Sequence, residues 1–360
     1  MTLTDLLNQT VTDPAARQKL ADAIAKAGGK LDYTLGTVVP AGADLATYLA
    51  AAKPGDVLLP ANPTAAYTCT AGVHPAADNV TLAFGGNPVT ILPGVPGVTV
   101  AITPMGANFS FGGITIAAMP QNDSLMRCAG LAPNIHDVTV NCQVNDVLIL
   151  DKAHGAKVSN LVATVPHGSR LIFNTGSDDT TILDPVSVGS LGEDCIRFGP
   201  ANDGHVPSGH HVIRVKSLKT LKLPNKQPST ISLRRAGVTA NDSFDISGGE
   251  CDGWIRMGEE GHGGPTVANV LIHDITLGVD PAGINAIDAH AGTFALARVK
   301  FLIPDANRRA VGFATTSGSK MTSAVDCILQ CPAGSTFTPK KLCNAGGVEI
   351  PGTNTQVVRA

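Results

Sequence analysis

Two acidic pairs stand where chemistry could be done: Glu193-Asp194, just before Ile196, and Glu250 with Asp252, just before Ile255. Hydrolysis of a glycosidic bond needs two carboxyl groups flanking it, one protonated and one charged. Adjacent acids at such places also serve plain turn chemistry, in which Asp and Gly open a loop. Further on, Trp254, the one tryptophan, stands two residues from Arg256, and Asp288 two residues from His290. An indole can stack on a sugar ring or pack beneath a loop. Eliminative cleavage of a uronate needs a base and a cation beside the carboxylate. Lys152 and His290 are candidate bases, and Arg170, Arg197 and Arg256 candidate cations. No segment gathers the carboxylates of a calcium site. His205, His210 and His211 fall in NDGHVPSGHH and His262 in GEEGHGGP, both Gly-rich segments that read as protruding loops. Neither offers a carboxylate at convincing ligand spacing, so no metal and no cofactor is expected. The eight cysteines form no CxxC, which argues against a zinc ribbon. They read as small buried strand residues, although Cys327, Cys331 and Cys343 could also crosslink the last part of the chain.

Those residues need a scaffold, and composition narrows it. Charged residues make up 15% of the 360 positions, against about 25% in an ordinary globular chain. With 39 Gly and 24 Pro, this is not a bundle of solvated helices; many short strands joined by tight turns fit better. A mean hydropathy of +0.15 excludes disorder as the main state. The net charge is −3 with no Lys/Arg run, so nucleic-acid binding is not expected. No apolar stretch is long enough for membrane insertion. The first residues place Asp5 ahead of Arg17 without an apolar core segment, unlike a secretory leader.

Residues 1–55 read as a helical cap or docking segment. Asp13-Pro14 is a helix start, and Gly28-Gly29 a stop. A second short helix is predicted from Asp44 to Lys53, ended by Pro54-Gly55. From residue 56 to 360 the chain repeats. An aliphatic or aromatic anchor within a polar tetrad recurs at Val80, Val98, Ile114, Val138, Leu161, Val186, Val215, Phe244, Ile275, Val299, Val325 and Val348. A second series lies between: Leu148, Leu171, Ile196, Ile231, Ile255, Ile287 and Val311. The two advance together, mostly by 23 to 26 residues, with longer steps in similar places. Such a period signals a solenoid. The prediction is an all-β, right-handed parallel β-helix of about 10–12 coils. Within its strands alternation turns Arg197, Ser232, Arg256 and Asp288 outward in one column, with His290 beside Asp288 and with Ile149 and Ile172 as apolar members upstream. This column reads as a glycan groove beside an apolar patch, or as a subunit interface with ion pairs.

The opening strands, AAAKPGDVLLPANPTAAYTC followed by NVTLAFGG, resemble the first coil of pectin-lyase-like β-helix proteins. That superfamily includes polysaccharide lyases, polygalacturonases and bacteriophage tailspikes. Glu193-Asp194-Cys195-Ile196 is similar to the Asp-Asp-Cys-Ile element of polygalacturonases, Asn174-Thr175-Gly176 to their Asn-Thr-Asp, and Gly261-His262-Gly263 to their Gly-His-Gly. The resemblance implies Asp194 as general acid, Glu193 as the water-activating base and His262 as a charge-orienting neighbour. Gly176 replaces an acid, and no Arg-Ile-Lys follows. The expectation is a virion protein: a tailspike, fibre or surface-decoration subunit, homotrimeric, docked to other virion proteins through its N-terminal segment. It would recognise bacterial surface polysaccharide with Arg197, Trp254, Arg256, Asp288 and His290. The alternative is a free, secreted carbohydrate-active enzyme, polygalacturonase-like or, less favoured, a lyase.

Overall fold

The computed structural model describes residues 36–120, 123–192, 194–221, 229–234, 236, 239, 241–258, 269–279, 285–304, 309–313, 319–334 and 352–359. The chain is a parallel β-solenoid of about eleven turns with one short helix among the described residues. A complete coil contributes to three faces, and among the described residues successive coils pair their strands in parallel. In one coil, Thr181–Leu183 lies on the first face, Val186–Ser187 on the second and Ile196–Gly199 on the third. The third face is a separate nine-stranded ladder running from Val100–Ile102 to Arg309–Phe313.

The corner between the first two faces explains why short strands stack so regularly. It turns on one residue in the left-handed region: Asp137 (φ 52°), Asn160 (φ 50°), Asp184 (φ 55°), Asp274 (φ 50°) and Asp326 (φ 53°). Asp and Asn tolerate this conformation because their short polar side chains bond locally. Here they also bond between coils. Asn160 donates to Asp137 at 2.9 Å. Arg214 and Arg298 each grip the corner aspartate one coil before, Asp184 and Asp274.

Inside, equivalent side chains stack. Leu148, Ile172, Ile196, Ile231, Ile255, Ile287 and Val311 form one continuous buried column down the third face. Each fully buried aliphatic of this kind stabilises by about 1.5–3 kcal/mol before chain entropy is counted. Phe198, His211 and Phe244 meet as an aromatic cluster, with ring centroids 4.6–5.1 Å apart. At the N-terminal end, Asp44 caps the helix Leu45–Ala51, accepting from the Ala46 amide and from both the amide and hydroxyl of Thr70. Leu45 and Leu49 of that helix are buried against the first coils. The ladder starts at Thr37–Val39, which pairs with Val57–Pro60. The helix expected around residues 13–29 lies outside the described residues.

Two inward assignments are off by one residue. Val186 faces out, and Ser187 is buried instead. The Ser187 hydroxyl is held by His167 Nε2 at 2.9 Å and receives the Gly189 amide, so a polar group fills that core position. Val325 is half-buried, and Ala324 faces inward. A bulge against Phe294/Ala295 inserts one residue into Lys320–Val325 and shifts the alternation. Val348 lies outside the described residues. No helix of the described residues is long and apolar enough to cross a membrane.

Candidate functional site

The register of the third face fixes its outward column. It reads Arg127, Ile149, Phe173, Arg197, Ser232, Arg256, Asp288, Gly312, one residue per coil. Ile172, expected in this column, instead pairs with Leu148 and Ile196 and faces inward; Phe173 takes its place. The strand Arg170–Thr175 enters from a corner with Leu171 and Ile172 both buried, so counting by twos from Leu171 starts on the wrong phase. The column is sheltered along much of its length: Ile149, Ser232 and Asp288 are buried although their side chains project outward.

Guanidinium groups dominate what the face presents. Arg170 lies over the Phe173 ring at 4.0 Å, and Arg197 over the same ring at 5.6 Å. Arg234 donates from Nε to the Ser232 hydroxyl at 3.2 Å. Arg256 lies over the indole of Trp254 at 4.5 Å. Carboxylates sit beneath. Arg170 meets Asp146 at 3.3 Å, Arg234 meets Asp194 at 3.7 Å and Arg256 meets Asp288 at 3.8 Å. In each pair the cation is the more exposed partner, at 12% against 7%, 19% against 2% and 21% against 12% of the side chain. Arg170 and Arg256 are each held by an aromatic ring and a carboxylate together, a rigid arrangement that lowers the ordering cost of binding.

The acids are tied down in turn. Asp194 accepts through Oδ1 from the Ser229 amide at 3.2 Å and the Ser229 hydroxyl at 2.6 Å, while its Oδ2 faces the Arg234 guanidinium at 3.7 Å. Asp288 accepts from His290 Nε2 at 2.8 Å and from Asn285 Nδ2 at 3.3 Å. The structure therefore brings Arg197, Trp254, Arg256, Asp288 and His290 together on one face. Trp254 is buried, and one of its faces is covered by Arg256, so its part in the site is to seat that guanidinium. Glu193 and His262 lie outside the described residues. Asn174 points into the corner, bonded to the Ser177 carbonyl and Thr180 hydroxyl.

The histidine-rich segment disperses. His205 pairs with Asp178 at 3.4 Å, and His210 meets the Ser243 hydroxyl. His211 turns into the core, where Nδ1 accepts the Thr180 amide and burial pushes its pKa down to about 4. Lys152 pairs with Asp203 at 2.9 Å. Among the described residues no group of three or more side chains could hold a metal ion. The seven described cysteines are free thiols, and burial pushes those of Cys69 and Cys251 up to about 12. Sequence reasoning missed Arg234 and Phe173. The signal for Arg234 was present: in Ile231-Ser232-Leu233-Arg234 the same alternation that turns Ser232 outward turns Arg234 outward too. No protein-family model matches the chain, and no curated protein matches it significantly.

Proposed function

We propose that this chain is the β-helical part of a bacteriophage virion surface subunit, a homotrimeric tailspike, fibre or decoration protein, that recognises acidic polysaccharide on the bacterial surface. The observation that carries recognition is the third face, where Arg170, Arg234 and Arg256 lie above buried carboxylates and Arg197 over the Phe173 ring. Guanidinium forks match carboxylate and phosphate oxygens, and charge-assisted bonds of this kind are among the stronger polar contacts. The virion setting is supported by the fold and by the likeness of the first coil to pectin-lyase-like β-helix proteins, a group that includes tailspikes, which is an argument by analogy. Binding rather than cleavage is the favoured activity, because Asp194 is enclosed by Ser229 and Arg234.

The test is calorimetric titration of the full chain with a panel of acidic and neutral capsular and lipopolysaccharide glycans, with reducing-end release measured in parallel. Acidic members should bind, less tightly as salt rises, and the protein should run at the mass of a trimer in solution. Binding confined to neutral glycans, or none at all, overturns recognition; a monomer overturns the trimeric virion setting. Release of reducing ends that disappears in Asp194→Asn would instead make this a glycan-cleaving solenoid, free or spike-borne.

A further inference from the structure

The first face carries a constellation of its own, apart from the arginines of the third. Ser110–Ala118 and Asn134–Val140 are parallel neighbours, with Ser110 opposite Asn134 and Gly112 opposite His136. Alternation turns Ser110, Asn134 and His136 outward while Phe111 and Ile135 enter the core. A Cβ at Gly112 would fall 2.5 Å from the imidazole, so glycine there lets the His136 ring lie back across the preceding coil. That brings Nε2 to 3.4 Å from the Ser110 hydroxyl. The other ring nitrogen, Nδ1, lies 3.0 Å from Asp137 Oδ2. Asp137 is the left-handed corner residue of its coil, and its carboxylate folds back beside the residue before it. Two amides complete the set: Asn134 Nδ2 donates to Ser110 Oγ at 3.2 Å, and Asn160 Nδ2 to Asp137 Oδ1 at 2.9 Å.

These bonds run in one direction. With Nδ1–H donated to Asp137, Nε2 is the basic nitrogen of His136; with Asn134 donating to Oγ, the Ser110 hydroxyl turns its proton to that nitrogen. His136 first and Asn160 second hold the Asp137 carboxyl below its ordinary value, so it stays charged. Further along the face His273-Asp274 repeats the His-Asp corner, but there Nε2 meets Asp245 at 2.9 Å instead of a hydroxyl. A hydroxyl, a base and an orienting acid in this order are the parts of an activated serine nucleophile. We infer that Ser110, His136 and Asp137 form a hydrolytic site for short-chain acyl esters, such as acetate esters of projecting hydroxyl groups. Ser110 Oγ attacks the ester carbonyl carbon while His136 Nε2 takes the hydroxyl proton. The oxyanion so formed receives a hydrogen bond from Asn134 Nδ2. The bond from carbon to the alcohol oxygen then breaks, and the alcohol leaves with the proton from His136. Water attacks the acyl-serine in the same way, giving its proton to His136; the carboxylic acid departs and Ser110 regains its proton. Asp137 is a positioning residue, holding the ring through Nδ1 and stabilising its charged form. Ser110 and His136 are half-buried on the outer side of a sheet. An ester carried on a large molecule can reach them there, and a long acyl chain would lie in water, which favours a short one.

The experiment treats the full chain with p-nitrophenyl acetate, with p-nitrophenyl octanoate and, separately, with a fluorophosphonate, whose phosphorus bonds a serine nucleophile as fluoride leaves. The wild type should release nitrophenol faster from the acetate than from the octanoate. Peptide mass spectrometry should place the phosphonyl group on Ser110. Ser110→Ala should abolish both the release and the adduct. His136→Gln should lower kcat/KM by at least about 10²-fold, the smaller end of what a positioned general base contributes. Asn134→Ala should lower kcat by about 10²- to 10³-fold, as loss of an oxyanion donor does. The left-handed corner accepts asparagine, as it does at Asn160. In Asp137→Asn, therefore, kcat should fall at least about tenfold with KM unchanged. Unchanged circular-dichroism spectra confirm the fold of each variant. An unmodified Ser110 in the wild type, or nitrophenol release that Ser110→Ala leaves intact, overturns the site. Faster release from the octanoate overturns the assignment to short acyl groups. Each of these results leaves glycan recognition by the third face standing, since the two faces share no residue.

Discussion

The first and third faces are built from the same coils, yet they treat charge in opposite ways. Along the first face and its corner, ion pairs lie open to water: Arg214 with Asp184, Arg298 with Asp274, and His273 between Asp245 and Asp274. On the third face Arg127 and Asp151 form one such open pair, but Asp146, Asp194 and Asp288 are buried beneath Arg170, Arg234 and Arg256. Exposed pairs of the first kind contribute little, because water and salt screen them. Buried carboxylates of the second kind are costly to strip of their partners. A surface that only had to be soluble would need no such layer. Among the described residues the arginine-covered acids Asp146, Asp194 and Asp288 all belong to the third face, and this is the observation behind the proposal of recognition there.

The sharpest way to break this contrast is to remove one acid from the layer. In Asp194→Ala, Arg234 and the Ser229 hydroxyl lose their shared acceptor. Breaking a buried pair by deleting one partner costs about 3–5 kcal/mol, and a loss in this range is expected in the denaturant midpoint at pH 7. A change no larger than that of a surface substitution would show that the third face is no different from the first.

A second effect sharpens the contrast from inside the first face, whose interior holds a histidine. Burial lowers the pKa of His211 from 6.5 to about 4, against the opposing attraction of Asp179, Asp178 and Asp242. The unfolded chain takes up this proton near pH 6.5, while the folded chain resists until about pH 4. Stability from this group is thus complete above pH 6.5 and declines as pH falls toward 4. Each unit of that window is worth about 1.4 kcal/mol, so a loss of about 2 kcal/mol is expected between pH 7 and pH 5. His211→Phe should reduce that slope, since Phe198 and Phe244 already provide an aromatic neighbourhood. An unchanged slope in urea titrations at the two pH values would exclude His211 as its source.

How far the sequence reaches follows from the same contrast. The solenoid was legible because its inner columns stay aliphatic while the two series lengthen and shorten together, as Ile196, Ile231, Ile255 and Ile287 show at steps of 35, 24 and 32 residues. The outward positions of Arg197, Arg256 and Asp288 follow from alternation alone. What alternation does not carry is contact between coils. That Trp254 is seated under Arg256, or that Asp194 answers Arg234 forty residues later in the chain, depends on side chains reaching along the face. Val186, Val325 and Ile172 were misplaced for a related reason. Corners and a bulge reset the count of two, and a left-handed corner residue or a buried serine leaves no hydrophobic mark.

The smallest effect belongs to His273 on the first face. Partial burial would lower its pKa, but hydrogen bonds to Asp274 and Asp245, with the charges of both acids, raise it overall. Its partner Asp274 is held well below the usual carboxylate range by Arg298 first and His273 second. A histidine whose folded pKa is raised stabilises most below pH 6.5, and that gain is lost as pH climbs through the raised value. The dependence therefore runs opposite to that of His211, although the two side chains belong to the same face. His273→Ala should leave stability at pH 8 nearly unchanged and lower it slightly at pH 5.5, with the difference shrinking in 1 M salt. A loss as large at pH 8 as at pH 5.5, and indifferent to salt, would mean that His273 is packed rather than paired. The open, screened character assigned to the first face would then fail at its best-defined ion pair.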